Sequence, residues 1–437
     1  MKRLLIALAF GGASAAGGQT IAITGGTVYP VSGPKIEHGT VVIRDGKIVA
    51  VGANVSPPAG AQIIDASGKW VTPGLINSAT QLGVIEVQAV ASTRDAGAQG
   101  WQGVAASFRV VDGFNPRSVL IQPARNDGVT SVVDLPFGSG VILGQAGWID
   151  LAPADMVAKS SAAMVGQLGN TLPGRGGDDD EAGAPAPGEG PYSRGEMAAR
   201  LRELFDDVKT YIATRAAYDR AQSRALSATR ADLEALIPVV QGRLPLLLNV
   251  ERASDIRQAI AITKAYGIKL IVAGGSEAWE VAPELAAAKV PVLAGTLENI
   301  PESFEQLGQR HDNVVLLRKA GVTVALIGNS GEEDLAPFNV RNIRQDAGTA
   351  VAYGLSWDDA LKAITLTPAE IFGVADRVGS LQAGRDANVV VWSGDPFEFS
   401  TQTVAVFVRG QQVKAPSRQD QLMERYKTLP RPAYRGP

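Results

Sequence analysis

Short runs of continuous apolar residues recur along the middle of the chain: GVTSVVDL (128–135), LPLLLNV (244–250), IKLIVAG (268–274), VPVLAG (290–295) and VTVALIGN (322–329). A strand that is apolar at nearly every position, and not only at alternate ones, must be covered on both faces. The covering elements lie between the runs. SDIRQAIAITKAYG is amphipathic and ends on a glycine C-cap, and SEAWEVAPELAAAK has the same helical texture. Strands alternating with helices predict a parallel sheet, and at 437 residues a TIM-type barrel is favoured over an open doubly wound sheet. No GxGxxG or GxxxxGK loop follows any of these strands, which argues against nucleotide binding.

The two ends of the chain read differently. IAITGGTVYPV, GTVVIRDGKIVAVG and AQIIDASGKWV alternate apolar and polar residues and are punctuated by Gly and Asp-Gly pairs. GSLQAGRDANVVVWSGDP and TVAVFVRGQQV repeat that pattern near the other end. Period-two alternation with tight turns predicts antiparallel strands. The expected fold class is therefore α/β: a (β/α)8 TIM-type barrel over 72–376, plus a small β-sandwich domain formed by both chain ends, 17–71 and 377–415, and a tail over 416–437. A Gly-, Pro- and Asp-rich insertion at about 167–192 cannot bury a core and is expected to be mobile. After it, Ser193 and Glu196 are expected to form a capping box, and Met197, Leu201, Leu204, Phe205, Val208 and Ile212 follow at helical spacing as a core stripe.

Charge and rare residues narrow the chemistry. A net charge of −3 offers no basic field for nucleic acid or an anionic membrane. The absence of cysteine excludes disulfides, thiolate nucleophiles and cysteine metal sites. There are only two histidines, His38 and His311, whereas catalytic zinc sites commonly use two or three imidazoles. At the N-terminus, Lys2 and Arg3 precede an apolar run from Leu4 to Phe10 and the small residues Ala13, Ser14 and Ala15. That order reads as a signal peptide over 1–16, cleaved on export, and the expected location is the periplasm. No cysteine follows to carry a lipid anchor, and no later apolar run of about 18 residues predicts a membrane span.

PGLINSATQ, opening the first barrel strand at Pro73, and the closing GSLQAGRDANVVVWSGDP resemble the amidohydrolase superfamily, in particular its imidazolonepropionase-like branch of metal-dependent C–N hydrolases. LEALIPVVQGRLPLLLNVERASDI and LTPAEIFGVADRVGSL add to the likeness, which spans nearly the whole mature chain. The resemblance implies a barrel plus a β-sandwich and an active site of zinc or another divalent metal at the C-terminal strand ends. The family opens its barrel with PGLID-x-H-x-H. Residues two apart on a strand share a face, so both imidazoles reach one ion. Here those positions hold Ala79 and Gln81. By the same likeness, the strand-five histidine falls at Asn249, with Glu251 in place of a second histidine. The strand-six histidine falls at Gly274, the last-strand aspartate at Asn329, and the bridging lysine at Val165.

No position in this set carries a strong ligand for a transition metal. His38 lies in a β-hairpin and His311 at the start of an outer helix, so neither is expected to substitute. Ser139 in PFGSG lacks the nucleophile-elbow pattern and a histidine to activate it. Asp134 and Glu251, near strand ends, are the candidate catalytic carboxylates, with hydrogen-bonded rim carboxylates as the favoured reading. The expectation is an exported family member with metal-dependent catalysis lost and no metal cofactor. It would act as a binding protein for a small molecule, or as the partner of an active amidohydrolase homologue or of a second copy in a homodimer. The alternative is a C–N hydrolase working through a metal-poor site around Asp134, Glu251 and Asn329.

Overall fold

The computed structural model describes residues 20–98, 103–169, 193–296, 301, 303–328 and 337–428. The segment read as a signal peptide, most of the 167–192 insertion and Asn329 lie outside the described residues.

The chain begins with β1 (Ile21–Val28), β2 (Ile36–Arg44), β3 (Lys47–Gly52), β4 (Gln62–Asp65) and β5 (Trp70–Pro73). The barrel strands follow: β6 (Leu75–Thr80), β7 (Val129–Asp134), β8 (Ile142–Asp150), β9 (Val157–Gln167), β10 (Leu246–Val250), β11 (Leu270–Gly274), β12 (Val292–Ala294) and β13 (Val324–Leu326). Helix α1 (Ile121–Asn126) precedes β7. After β9 come α2 (Arg194–Asp219) and α3 (Arg230–Val240), then α4 (Ala253–Tyr266), α5 (Ala282–Ala288) and α6 (Asn313–Lys319) between successive strands. Helices α7 (Ile343–Ala352), α8 (Trp357–Ala363) and α9 (Leu366–Ile371) lead to β14 (Val389–Trp392), β15 (Thr403–Val408), β16 (Gln411–Gln412) and α10 (Arg418–Tyr426).

Two eight-stranded sheets result. One runs β16-β15-β14-β5-β1-β2-β3, with β4 on the other side of β1, and so is built from both chain ends. The joining pair is β5 with β14, where Val71 faces Val391 and Trp70 faces Trp392. The other sheet runs from β6 to β13 in sequence order, and its two outer strands meet, so it curls into a nearly closed barrel. The fold class is the α/β barrel with a terminal β-domain that the sequence predicts.

One strand departs from the all-parallel pattern. β8 runs antiparallel to both β7 and β9. The connections on either side, 135–141 and 151–156, are too short for a helical crossover, which needs a dozen or more residues. The other barrel neighbours are parallel.

Alternation along the strands sorts the side chains. Ile76, Val133, Val165, Leu247, Ile271, Leu293 and Ala325 form an apolar cluster in the lumen. Their neighbours Val132, Leu246, Leu248, Val272 and Val292 pack outward with Ile256, Ala259, Leu285 and Leu317 of the helices. Phe372, just past α9, closes the lumen at the N-terminal strand ends, where it meets Trp148 at a centroid distance of 6.2 Å. The terminal sheet covers that same end: Trp392 donates to Thr72 Oγ1 at 2.9 Å, and its ring lies over Gly128, where a Cβ would come within 2.4 Å. With one end plugged, the C-terminal strand ends form the open mouth.

The stripe on α2 differs at one position. Met197, Leu201, Leu204, Phe205 and Val208 are buried as expected, but Ile212 is exposed and Tyr211 takes the inward place, its hydroxyl donating to Glu234 at 2.6 Å. Ser193 caps the helix by accepting from the Glu196 amide, while the Glu196 carboxylate turns to Arg200 at 3.0 Å.

Candidate functional site at the barrel mouth

Each strand of the mouth ends in a different chemical group. On β6 a register shift between Asn77 and Thr80 brings Ala79 against the lumen cluster. Gln81, just beyond, points its Nε2 at the Leu135 carbonyl at 3.5 Å. Val165 of β9 is fully buried in the apolar lumen. Two residues on, Gln167 donates to the Gly140 carbonyl at 2.8 Å. On β10, Leu247 lies in the lumen cluster, so alternation places Asn249 on the same face, level with Gln167 of β9 and Ala273 of β11.

Glu251 follows Asn249 and takes a defined seat. Its Oε2 accepts from the Ser276 amide at 2.9 Å and from the Ser276 hydroxyl at 2.6 Å. The carboxylate rests directly over Gly274, where an added Cβ would lie only 2.1 Å from Glu251 Oε1. Gly274 also has φ of +80°, a conformation costly for any residue with a side chain. Burial among protein atoms raises the Glu251 pKa above the usual carboxylate range, and the nearby charges of Glu305 and Glu277 push the same way; the two Ser276 donors oppose this. Glu251 still keeps part of its surface in solvent.

Neighbouring charges are paired off elsewhere. Arg194 at the start of α2 bridges Glu305 and Asp255, the latter at 2.9 Å, and Arg252 reaches Glu305 at 3.3 Å. Glu277 accepts from the Ala253 amide at 2.9 Å. Among the described residues, no Lys or Arg forms an ion pair with Glu251.

Asp134, the other candidate carboxylate, is placed differently. Val133 and Leu135 belong to the lumen, so Asp134 lies on the opposite, outward face of β7. It is fully buried, and neither oxygen has a hydrogen-bond partner. Desolvation drives its pKa well above the usual value, with only the Leu82 backbone amide acting in the other direction. It does not share the mouth with Glu251. His38 is exposed on β2, and His311 stacks on Tyr353 with centroids 4.5 Å apart, its Nδ1 3.1 Å from the Thr296 carbonyl oxygen. Ser139 is exposed on the β7–β8 connection.

Comparison with known proteins agrees with this architecture. A model described as "Amidohydrolase family" matches residues 337–413. The crystal structure of an amidohydrolase from Thermotoga maritima superposes with a TM-score of 0.78 at 28% identity, covering 90% of this chain and 99% of that one. The chain belongs to the amidohydrolase superfamily. Similar proteins include an imidazolonepropionase of Mesorhizobium japonicum, 26% identical over 384 residues, with 82% of this chain and 87% of that protein covered. A dihydroorotase of Pelotomaculum thermopropionicum is 27% identical over 424 residues, with 85% and 88% covered.

Divalent metal in such a barrel requires imidazole or carboxylate donors converging on one point. At the matching positions this chain presents the Ala79 methyl, the amides of Gln81 and Asn249, the Val165 isopropyl group and the bare backbone of Gly274. The space beside Gly274 is filled by a carboxylate already engaged with Ser276. Among the described residues, no group of three His, Asp or Glu comes together in a way that could hold an ion. The donor set among the described residues does not fit a zinc centre. Ser276, which fixes Glu251, escapes the sequence reading because GGSE after a strand signals only a turn. Gln167 escapes it too, since a lone glutamine carries no motif.

Proposed function

We propose that this amidohydrolase-superfamily chain binds a small molecule in its barrel mouth without metal-assisted hydrolysis. The observation that carries this reading is the Glu251 carboxylate seated over Gly274, in the space a metal-ligating side chain at 274 would need. A metal ion would lower the pKa of its water from about 15.7 to about 7 and polarise the scissile carbonyl. The described residues at the mouth offer no equivalent: Asp134 faces away from it and is fully buried.

The protein is an exported one in this reading, on the strength of the N-terminal sequence, and works in the periplasm. It acts alone, as a homodimer, or beside an active relative. Among the described residues no helix is long and apolar enough to cross a membrane.

Metal analysis of the purified, dialysed protein tests the proposal, together with a hydrolysis screen of cyclic amides and dipeptides. The expected outcome is substoichiometric zinc, manganese and iron, and no turnover above background with zinc added. Stoichiometric metal, or turnover abolished by a chelator, overturns it.

A further inference from the structure

We propose that the barrel mouth selects an organic cation, a small primary ammonium compound with an apolar body, held by Glu251 and Asn249. The inference rests on the reading of the mouth as a binding site and names the class of ligand.

Four features of the mouth support this. The first is a carboxylate without a counter-ion among the described residues. Arg194 and Arg252, the nearby cations, are committed to Glu305 and Asp255, and no described Lys or Arg pairs with Glu251. Burial and the like charges of Glu305 and Glu277 work against an ionised Glu251, so a cation meeting it would stabilise the charged form.

The second is that the carboxylate is aimed. Both Ser276 donors go to Oε2, and Oε1 has no hydrogen-bond donor among the described residues. The position of Oε1 depends on Gly274 having no side chain. Burial and two fixed donors on one oxygen leave the other for a ligand.

The third is Asn249, independent of the charge argument. It stands two residues before Glu251 on the face that Leu247 shows to the lumen, and its side-chain amide has no partner among the described residues. Its oxygen supplies a second acceptor on the same side of the mouth. An ammonium group carries three donors and no acceptor, which matches a carboxylate oxygen beside an amide oxygen.

The fourth is the floor. Val165, Leu247, Ile271, Ala273 and Leu293 make the lumen beneath these polar groups apolar, and Phe372 closes it below. These side chains offer apolar contact to the alkyl end of a ligand and no partner to a second charge.

The test uses the full mature protein titrated by calorimetry with n-butylammonium, n-butanol and butyrate. These share a short alkyl chain and differ in the charge of the head. Binding of n-butylammonium is expected at one site per chain, about tenfold or more tighter than n-butanol, with butyrate excluded. Glu251→Gln is expected to weaken n-butylammonium by about tenfold and to leave n-butanol unchanged. Should Glu251→Gln not fold, Asn249→Ala serves, with a several-fold loss confined to the ammonium. Equal affinity for n-butylammonium and n-butanol overturns the cation assignment while leaving a binding mouth intact. So does an ammonium affinity untouched by a folded Glu251→Gln or Asn249→Ala variant. Stoichiometric bound metal overturns the underlying reading itself, so the two failures are told apart.

Discussion

Two carboxylates in this chain look alike on paper and differ in every physical respect. Glu251 and Asp134 each lie at the end of a barrel strand, but Glu251 has two donors and contact with solvent, whereas Asp134 is fully buried with only the Leu82 backbone amide turned toward it. An ionised carboxylate sealed in an apolar setting is expensive, so Asp134 holds its proton far above the ordinary range. Its effect on stability follows from that direction. With the folded-state pKa raised above the unfolded value of about 3.9, the contribution is fully present below that value and is lost as pH rises through the folded pKa. Asp134→Asn removes the titration. The melting temperature of the variant relative to the parent should therefore climb between pH 4 and pH 8. A difference that stays flat across that window would show that Asp134 is not held neutral. The sequence could not distinguish the two residues, because strand parity beside the register shift between Asn77 and Thr80 decides which face each side chain takes.

At the scale of elements, β8 is the piece that most alters the barrel. It was invisible as a strand in the sequence because ILGQAGWID mixes glycines and polar residues, and VAKSSAAMVGQ of β9 is dominated by small ones. Both nonetheless run the length of the barrel wall. The end of β8 carries Asp150, which is fully buried and accepts from Ser131 at 3.0 Å and Trp148 at 2.8 Å. It also binds Arg377 at 3.0 Å and Arg409 at 2.6 Å. Arg377 in turn reaches Asp386 at 2.8 Å, just before β14. One aspartate thus ties the antiparallel strand of the barrel to the chain that builds the terminal sheet. Asp150→Ala leaves a buried indole N–H and Arg409 without their carboxylate, while Arg377 keeps only Asp386. The arginines keep about a third of their surface in water, so a loss of about 3 kcal/mol is expected, the lower end for a broken buried pair. Denaturant unfolding of the variant measures it, and a change below about 1 kcal/mol would mean that the network is not a structural tie.

For the molecule as a whole, the two sheets are not independent. Val390, Trp392, Val406 and Val408 of the terminal sheet belong to the same buried cluster as Leu75, Ile121 and Val129 of the barrel. The β5–β14 pairing joins residues from opposite ends of the chain, Val71 beside Val391. A shared core and a strand pair that needs both ends predict one cooperative unfolding transition for the chain. Tryptophan fluorescence and far-ultraviolet circular dichroism should give coincident melting curves. Two separated transitions would mean that barrel and terminal sheet unfold as separate bodies.

The sequence by itself determined the barrel, because strands apolar on both faces have no stable place outside a sheet covered by helices. It determined the terminal sheet equally well, because period-two alternation at both ends leaves one buried face on each piece. It also determined that Ala79 and Val165 carry no ligating atom, since no folding can turn an alanine or a valine into a ligand. Only the tertiary structure decided how the groups at the mouth are arranged. The seat of Glu251 depends on a backbone angle at Gly274 and on a serine 25 positions away, and the antiparallel course of β8 depends on two short connections. Distances between strands, and the face on which a side chain emerges, arise when register is set across the sheet, and local pattern carries no record of that.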